Sequence, residues 1–198
     1  MSKFQNKAFF VLLSLTLSAC GQDTGYGGAG SGAGSVSCSP CRIFSTTTAV
    51  AGDFGGAAAA DAVCNTDASR PNSSNYKALL WTSTRSPTSD WPIKSGVAYV
   101  RADGSTAIGT GGSDGFIPPP LTNSIITASP VYHWTGIDIA GFPAMAQSSH
   151  TCTGWTDGTS GVSGATGTGS LTASSAYVGM NATGRGCNGT NRFYCVEQ

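Results

Sequence analysis

The fold of this chain is decided by its last third, which reads Cys152-Thr-Gly-Trp155, then a long run of small polar residues, then Cys187, and finally Arg192-Phe-Tyr-Cys195-Val-Glu-Gln198. Two cysteines bracket a loop rich in Gly, Ser and Thr, and a third lies in a strand-like segment close to the last residue. A loop with so few apolar side chains buries too little surface to offset the entropy of ordering it. We therefore expect covalent cross-links to hold this region in place.

The composition indicates one loop-rich domain with an additional tail. The chain has 198 residues, of which 39% are apolar, only 10% are charged and 28 are Gly, and this length suits one domain of ordinary size. The formal net charge is zero, so the chain lacks the excess of basic residues that attracts nucleic acid or an anionic membrane surface. We therefore expect no nucleic-acid partner.

The first residues have the pattern of a bacterial lipoprotein signal peptide. Lys3 and Lys7 are basic, and residues 8–19 form an apolar stretch that is too short for a permanent membrane span. Leu17-Ser-Ala-Cys20 then resembles a lipobox, in which small residues precede a cysteine that is acylated and becomes the mature N-terminus. The alternative is an ordinary signal peptide with a coincidental cysteine. We predict a lipoprotein signal peptide over residues 1–19 and lipidation of Cys20.

Residues 20–37 are predicted to form a flexible tether between the lipid and the folded part. Gly and Ser dominate this segment, and such a composition behaves as a flexible coil that cannot bury a core. Gly21 rather than Asp follows Cys20, which resembles the pattern that permits export to the outer membrane. We therefore expect a protein of the bacterial cell envelope, at the outer membrane or cell surface, that contacts the membrane only through its lipid anchor. The folded domain is predicted over residues 38–198.

Six cysteines remain once Cys20 is set aside, an even number that suggests a disulfide framework in an exported protein. Six cysteines allow many different pairings, and the sequence by itself does not choose among them. Cys38-Ser-Pro-Cys41 could be a redox motif or half of a metal site, but it lacks a βαβ setting, a second Cys-x-x-Cys motif and a nearby His. A local disulfide is the simpler interpretation. The six residues are Cys38, Cys41, Cys64, Cys152, Cys187 and Cys195.

The rest of the sequence predicts a small α+β domain. Residues 57–68 are rich in Ala and predict a helix that follows a Gly-rich turn. Intervals of three and four residues predict a shared buried face for Ala57, Ala60, Cys64 and Ala68. Runs of β-branched and aromatic residues predict strands at residues 42–48, 76–83, 97–101, 106–108 and 131–135.

Several segments, taken in order, resemble the endostatin-like branch of the C-type-lectin-like fold. They look like its cysteine-bearing helix, its next strand, its Trp-containing turn, its Cys-x-x-Trp segment and its closing strand. The segments are Gly55-Gly-Ala-Ala-Ala-Ala-Asp-Ala-Val-Cys64, Tyr76-Lys-Ala-Leu-Leu-Trp-Thr-Ser83, Trp134-Thr-Gly-Ile-Asp138, Cys152-Thr-Gly-Trp155 and Phe193-Tyr-Cys195-Val-Glu197. The resemblance covers residues 42–197. The sequence is closer still to a family of bacterial lipoproteins that includes the leptospiral endostatin-like outer-surface proteins.

The resemblance implies an α+β, C-type-lectin-like fold with one clear helix, short strands, long loops and nested disulfides. One disulfide would tie the helix to the closing strand, and another would fasten the long loop. The implied pairs are Cys64–Cys195, Cys152–Cys187 and, as a local pair, Cys38–Cys41.

No arrangement of catalytic residues is recognisable, and we predict that the protein is not an enzyme. A Ser-His-acid triad would need His133 or His150 as its base, and neither lies in a recognised motif. His133 alternates with aromatic neighbours in a predicted strand, which favours a structural role.

We also predict that the protein has no cofactor and no metal site. A zinc site needs about four clustered ligands, which two isolated histidines and paired cysteines do not supply. The Glu-Pro-Asn and Trp-Asn-Asp motifs of calcium-dependent lectins are missing from the sequence. Asp103, Asp114 and Asp138 could still bind calcium, although Asp in a turn more often bonds to its own backbone.

The resemblance implies a surface-anchored binding module. Relatives in the leptospiral group are adhesins that bind extracellular-matrix and serum proteins, so we predict adhesin-like recognition of host or extracellular macromolecules. The alternatives are a glycan-binding, lectin-like module and a structural envelope lipoprotein without a specific ligand. Loops on a rigid scaffold carry recognition, which directs attention to residues 85–130 and 160–186. The candidate contacts are Arg85, Trp91, Arg101 and Arg185.

Overall fold

The computed structural model describes residues 37–128, 130–139, 145–177 and 184–198. The predicted signal peptide at residues 1–19, Cys20 with its predicted lipid, and the tether up to residue 36 lie outside the described residues and stay predictions. The described residues form a mixed α+β fold with one regular helix, short strands and three disulfides, as the sequence predicts. Within this part of the chain, no helix has both the length and the apolarity that a membrane span requires.

One regular helix and a series of short strands make up the described secondary structure. Helix α1 covers Ala57–Thr66, and a 3-10 turn covers Ser174–Ala176. The strands, in chain order, are β1 Cys41–Ser45, β2 Tyr76–Ala78, β3 Ala98–Arg101, β4 Ala107–Thr110, β5 Tyr132–Trp134, β6 Ile137–Ile139, β7 Met145–Gln147, β8 Ser163–Gly164, β9 Thr166–Thr168, β10 Arg185–Gly186 and β11 Tyr194–Glu197.

The central sheet has five strands in the order β2-β11-β1-β3-β4. Strand β11 is antiparallel to both of its neighbours, whereas β1 and β3 run parallel. The remaining strands form three separate pairs, β5 with β9, β6 with β7 and β8 with β10. The last strand of the sequence therefore lies between β1 and β2, which come from the first third of the chain.

A hydrophobic core lies on each face of this sheet. Successive side chains of a strand point to opposite faces, so Ile43 and Tyr194 pack in one core while Phe44 and Cys195 pack in the other. Strand β11 is buried along its whole length, including Glu197. The Glu197 carboxylate accepts a hydrogen bond from the backbone N–H of Arg42 at 2.9 Å, so this buried charge has a partner on β1.

Helix α1 packs its small side chains against the sheet. Ala60 and Cys64, one turn apart, are fully buried, as their spacing predicts. The prediction that Ala68 shares this face is wrong, because the helix ends at Thr66 and Ala68 is exposed. Asp67 takes an extended conformation instead, with φ −65° and ψ 140°.

Two predicted strands are shorter than expected. The strand predicted at residues 42–48 ends at Ser45, because the backbone N–H groups of Thr47 and Thr48 bond to the Asp67 carboxylate at 3.0 and 2.9 Å. The strand predicted at residues 76–83 ends at Ala78, and by Trp81 the backbone has turned to bond with Thr135 at 2.7 Å. In both cases a contact distant in sequence takes the place of a further sheet hydrogen bond.

The disulfides join the pairs that the resemblance implies, namely Cys38–Cys41, Cys64–Cys195 and Cys152–Cys187. The second links α1 to β11 across 131 residues, and the third closes a segment of 35 residues. In the loop-entropy model such closures contribute roughly 5 and 4 kcal/mol to the free energy of unfolding. These contributions are large beside the stability of a typical small domain, which is about 5–15 kcal/mol.

The Cys-x-x-Trp segment is a single left-handed turn. Cys152, Thr153, Gly154 and Trp155 have φ of 49°, 55°, 72° and 70°, a conformation that costs roughly 1–2 kcal/mol for each residue with a Cβ. Its two ends are fully buried, and the Trp155 indole N–H donates to the Trp81 carbonyl at 3.2 Å. Tertiary contacts and the disulfide therefore hold a backbone that the local sequence alone would not adopt.

Arg85 is a core residue, and its prediction as a surface contact is wrong. Its side chain is only 3% exposed, and one guanidinium nitrogen lies 2.6 Å from Asp61 and 3.0 Å from Asp90. A second nitrogen donates to the Ala78 carbonyl at 3.0 Å. Arg85 thus joins α1, β2 and the loop that follows, and it offers no free donor surface to a ligand.

Trp91 is also buried, and its prediction as a binding contact is wrong. It is 2% exposed, and its indole N–H donates to the Gly115 carbonyl at 2.5 Å. Edge contacts with Trp81 and Phe116 complete its surroundings. Trp91 lies among Ser, Pro, Thr and Asp residues that are typical of exposed turns, so the sequence does not indicate that its side chain packs in the core.

Replacement of Cys187 by Ser should lower the free energy of unfolding by about 4 kcal/mol, because the unfolded chain loses the closure of a long loop. The measurement is thermal and urea unfolding under oxidising conditions. Cys38→Ser serves as the control, since its disulfide spans only three residues and its loss should cost about 2 kcal/mol or less. Unchanged melting of Cys187→Ser would contradict the assigned role of this disulfide.

Replacement of Arg85 by Ala should lower the free energy of unfolding by about 3 kcal/mol or more, because the partly buried Asp61 carboxylate loses its partner. Urea unfolding of the two proteins measures the change. Arg185→Ala is the matched control, because Arg185 is exposed and should matter by less than about 1 kcal/mol. Equal losses in the two variants would show that Arg85 is not a core residue.

Candidate functional site

A groove of about 360 Å³ opens where β1 extends beyond β3. The parallel pairing of these two strands ends at Ile43 and Arg101, so Phe44 and Ser45 continue past the point where β3 turns away. The groove is lined by the end of β1, the start of the β3–β4 turn, residues 125–128, Ser69 and Arg192. Its volume is in the range of small-molecule sites.

Arg101 is fixed at one side of the groove. Its Nε donates to the Ser124 carbonyl at 2.6 Å, and one of its terminal nitrogens donates to the Ser124 hydroxyl at 2.9 Å. These bonds use only part of the five-donor guanidinium fork. The side chain is half-buried, so it is held in one orientation while it still borders the groove.

Arg192 supplies a second guanidinium, and its position is set by its backbone. Its N–H donates to the Tyr132 carbonyl at 3.1 Å, and its carbonyl accepts from Trp134 at 2.9 Å. Its half-buried side chain lines the groove, yet the described residues provide no hydrogen bond or salt bridge to its guanidinium. The hydrogen-bond donors of the Arg192 guanidinium are therefore available to a ligand in the groove.

Ser45, which lines the groove, lies against the buried His133. The Ser45 hydroxyl lies 2.8 Å from His133 Nε2. The imidazole is fully buried and stacks on the Tyr194 ring, with ring centroids 3.8 Å apart and an angle of 13° between the planes. This geometry resembles the serine-base pair of a hydrolase, in which the histidine must be able to accept the serine proton.

The electrostatics argue against a catalytic role for this pair. Burial and, to a smaller extent, the charge of Arg192 lower the pKa of His133 to about 3, and the carbonyl groups of Val131 and Gly167 offset only part of this. A general base must become an imidazolium in the transition state, which this site disfavours. Among the described residues, none makes a full hydrogen bond to His133 Nδ1 as the acid of a triad would. His133 is therefore neutral at physiological pH, and its Nε2 contacts the Ser45 hydroxyl.

The groove also has a negatively charged rim. Asp103 is exposed in the β3–β4 turn and accepts hydrogen bonds from the N–H groups of Ser105 and Thr106 and from the Thr106 hydroxyl. The hydrogen bonds from Thr106 and Ser105 lower the pKa of Asp103, so its carboxylate stays ionised at neutral pH. The carboxylate lies at the groove without pairing with either arginine.

Asp67 fixes the position of Ser69, which lines the groove. Its buried carboxylate accepts hydrogen bonds from the Thr47 and Thr48 backbone, from the Ser69 hydroxyl at 2.5 Å and from the Ser69 N–H at 2.9 Å. Burial raises the pKa of Asp67, but these bonds lower it by more, and the net shift is downward. The same Ser69 hydroxyl contacts the Ser45 carbonyl at 2.9 Å, which joins the segment after α1 to the end of β1.

Of the four candidate contact residues named from the sequence, only Arg101 lines the groove. Arg85 and Trp91 lie in the core. Arg185 is exposed on β10, where its guanidinium lies 4.0 Å from the centre of the Tyr132 ring. The predicted lipidation site Cys20 lies outside the described residues.

Sequence reasoning missed Arg192, Ser45 and Ser69. Arg192 lies two residues before the buried closing strand, and a charged residue at that point is a usable signal for a side chain that faces solvent or a ligand. Ser45 and Ser69 carry no such signal, because they come from segments 24 residues apart that meet only through the fold.

The described residues contain no group of three or more His, Cys, Asp or Glu side chains arranged to hold a metal ion. Two of the aspartates considered for calcium take part in their own turns. Asp103 bonds to Ser105 and Thr106, and Asp114 accepts a hydrogen bond from the Phe116 N–H at 3.0 Å. The third, Asp138, lies on β6.

The fold and the site together define a small α+β domain, cross-linked by three disulfides, with a two-arginine groove at the end of its central sheet. The chain belongs to the family described as "Protein of unknown function (DUF1554)", whose model matches residues 47–172. This segment includes α1 and Arg101, whereas Ser45 and Arg192 flank it. No curated protein matches the chain.

Replacement of Asp67 by Asn should lower the free energy of unfolding at pH 7 by about 2 kcal/mol, because several donors lose a charged acceptor. The folded-state pKa of Asp67 is depressed, so its contribution is present above the unfolded-state pKa near 3.8 and is lost as the pH falls below it. Urea unfolding between pH 7 and about pH 2 should therefore show a smaller loss of stability for Asp67→Asn than for the native protein.

The control is Asp53→Asn, which changes an exposed carboxylate and should alter stability by less than about 0.5 kcal/mol. An Asp67→Asn protein whose stability falls as steeply with acid as that of the native protein would contradict this assignment.

Proposed function

We propose that this protein is a surface-anchored lipoprotein whose domain binds host or extracellular macromolecules through the groove beside Arg192. The observation that carries the proposal is the Arg192 guanidinium, which borders the groove with no hydrogen-bond or ion-pair partner among the described residues. A half-buried guanidinium is a strong donor of paired hydrogen bonds to an acidic group. Extracellular-matrix or serum proteins and glycans are the partner classes that we consider.

The scaffold suits recognition better than chemistry. The pair of Ser45 and His133 has a base with a pKa near 3, and a serine without an effective base is a poor nucleophile. The groove walls, by contrast, are fixed by short bonds such as that of Arg101 to Ser124. Fixed donors lower the entropy lost when a ligand binds. We therefore propose a binding protein that is not an enzyme.

We also propose that the fold is C-type-lectin-like, of the endostatin-like branch. Support comes from the nested disulfides Cys64–Cys195 and Cys152–Cys187, and from the closing strand that returns beside the first strand. The Cys-x-x-Trp turn and the long loops around it fit the same pattern. The lipobox at Cys20 and the Gly-rich segment after it support anchoring of this domain at the cell envelope, at the outer membrane or cell surface.

The test is binding of the detergent-purified protein to arrays of matrix proteins, serum proteins and glycans. We expect at least one array component to bind the native protein and to lose about tenfold or more of its affinity in Arg192→Gln, since a hydrogen bond to a charged group contributes about 1.5–3 kcal/mol.

Arg185→Gln is the matched control, because it removes an exposed arginine outside the groove. Equal binding by Arg192→Gln and Arg185→Gln would contradict the proposed site. Intact cells provide a second readout: added protease should remove the domain from the surface, and full protection would contradict the surface location.

A further inference from the structure

We propose that the groove accepts a sugar acid, that is, a polyhydroxylated ring that carries a single carboxylate. This inference rests on the proposed function, because it names the ligand class of the same groove. Three features of the groove lead to it: its free guanidinium donors, its hydroxyl groups that can still accept hydrogen bonds, and its negatively charged rim.

The guanidinium groups specify the carboxylate. Arg101 uses Nε and one terminal nitrogen on Ser124, which leaves its other terminal nitrogen available. Arg192 contributes a complete fork on the same groove. A planar carboxylate matches the paired donors of such a fork and forms two parallel hydrogen bonds with it.

The serine hydroxyls specify the rest of the ligand. The single proton of the Ser69 hydroxyl is shared between the Asp67 carboxylate at 2.5 Å and the Ser45 carbonyl at 2.9 Å. The Ser45 hydroxyl is engaged with His133 Nε2. A hydroxyl has one proton and two lone pairs, so what both serines can still offer a ligand is acceptor capacity. A ligand rich in O–H donors fits these acceptors, and the aliphatic wall at Ile126 suits the C–H face of a ring.

The rim restricts the ligand to one negative charge. Asp103 stays ionised and lines the groove without pairing with either arginine, so a second acidic group on the ligand would be repelled. Heavily sulfated or phosphorylated chains are therefore disfavoured. The volume of about 360 Å³ lies at the small end of ligand sites, which suits one or two sugar rings of a larger molecule.

The experiment is calorimetric titration of the detergent-purified full chain with methyl glucuronide, its methyl ester, methyl glucoside and acetate. We expect the glucuronide to bind at least about tenfold more tightly than the ester, the glucoside or acetate. In Arg192→Gln this preference should disappear, whereas Arg185→Gln should keep it. Addition of a sulfate group to the glucuronide should not improve binding.

The inference is overturned by equal affinity for glucuronide and glucoside, by acetate binding as tightly as the glucuronide, or by no binding of glucuronide at about 10 mM. The array experiment separates this failure from that of the proposed function. An array partner that depends on Arg192, combined with no glucuronide binding, removes the sugar acid and keeps the binding groove. No dependence on Arg192 in either experiment removes both.

Discussion

The disulfide between Cys64 and Cys195 joins the only regular helix of the described residues to β11, an inner strand of the five-stranded sheet. Both cysteines are fully buried, and β11 pairs with β1 on one side and β2 on the other. Strand β11, from the last residues of the sequence, therefore contributes side chains to both cores. Because Arg192 lies two residues before β11, the constraint that places this strand also places the guanidinium at the groove.

Several charged side chains among the described residues have partners that join distant parts of the fold. Arg85 with Asp61 and Asp90, and Glu197 with Arg42, are paired inside the fold and connect elements that are distant in sequence. Asp67 does the same without a cation, through hydrogen-bond donors alone. Arg192, by contrast, borders the groove with a guanidinium that has no hydrogen-bond or ion-pair partner among the described residues, which is why the proposed site is centred on it.

Sequence patterns predicted the elements that depend on local chemistry. Alanine content and spacing placed α1 and the burial of Ala60 and Cys64, and β-branched runs located the central strands to within a few residues. What could not be predicted depends on contacts between distant segments. In the sequence Arg85 resembles an exposed residue, and only the fold places Asp61 beside it. The groove likewise exists only because the fold brings Ser45, Arg101 and Arg192 together. The periodicity of a sequence carries no information about contacts between distant segments, so the groove could be identified only from the structure.

The central claim is that β11, held by Cys64–Cys195, is the strand on which the sheet and the groove depend. Amide hydrogen exchange of the native protein and of a Cys64→Ala, Cys195→Ala double variant tests it most directly. The account predicts that amides of β1, β2 and β11 lose protection together and by similar factors, since they open as one unit. Loss of protection confined to α1, with the three strands unchanged, would contradict it.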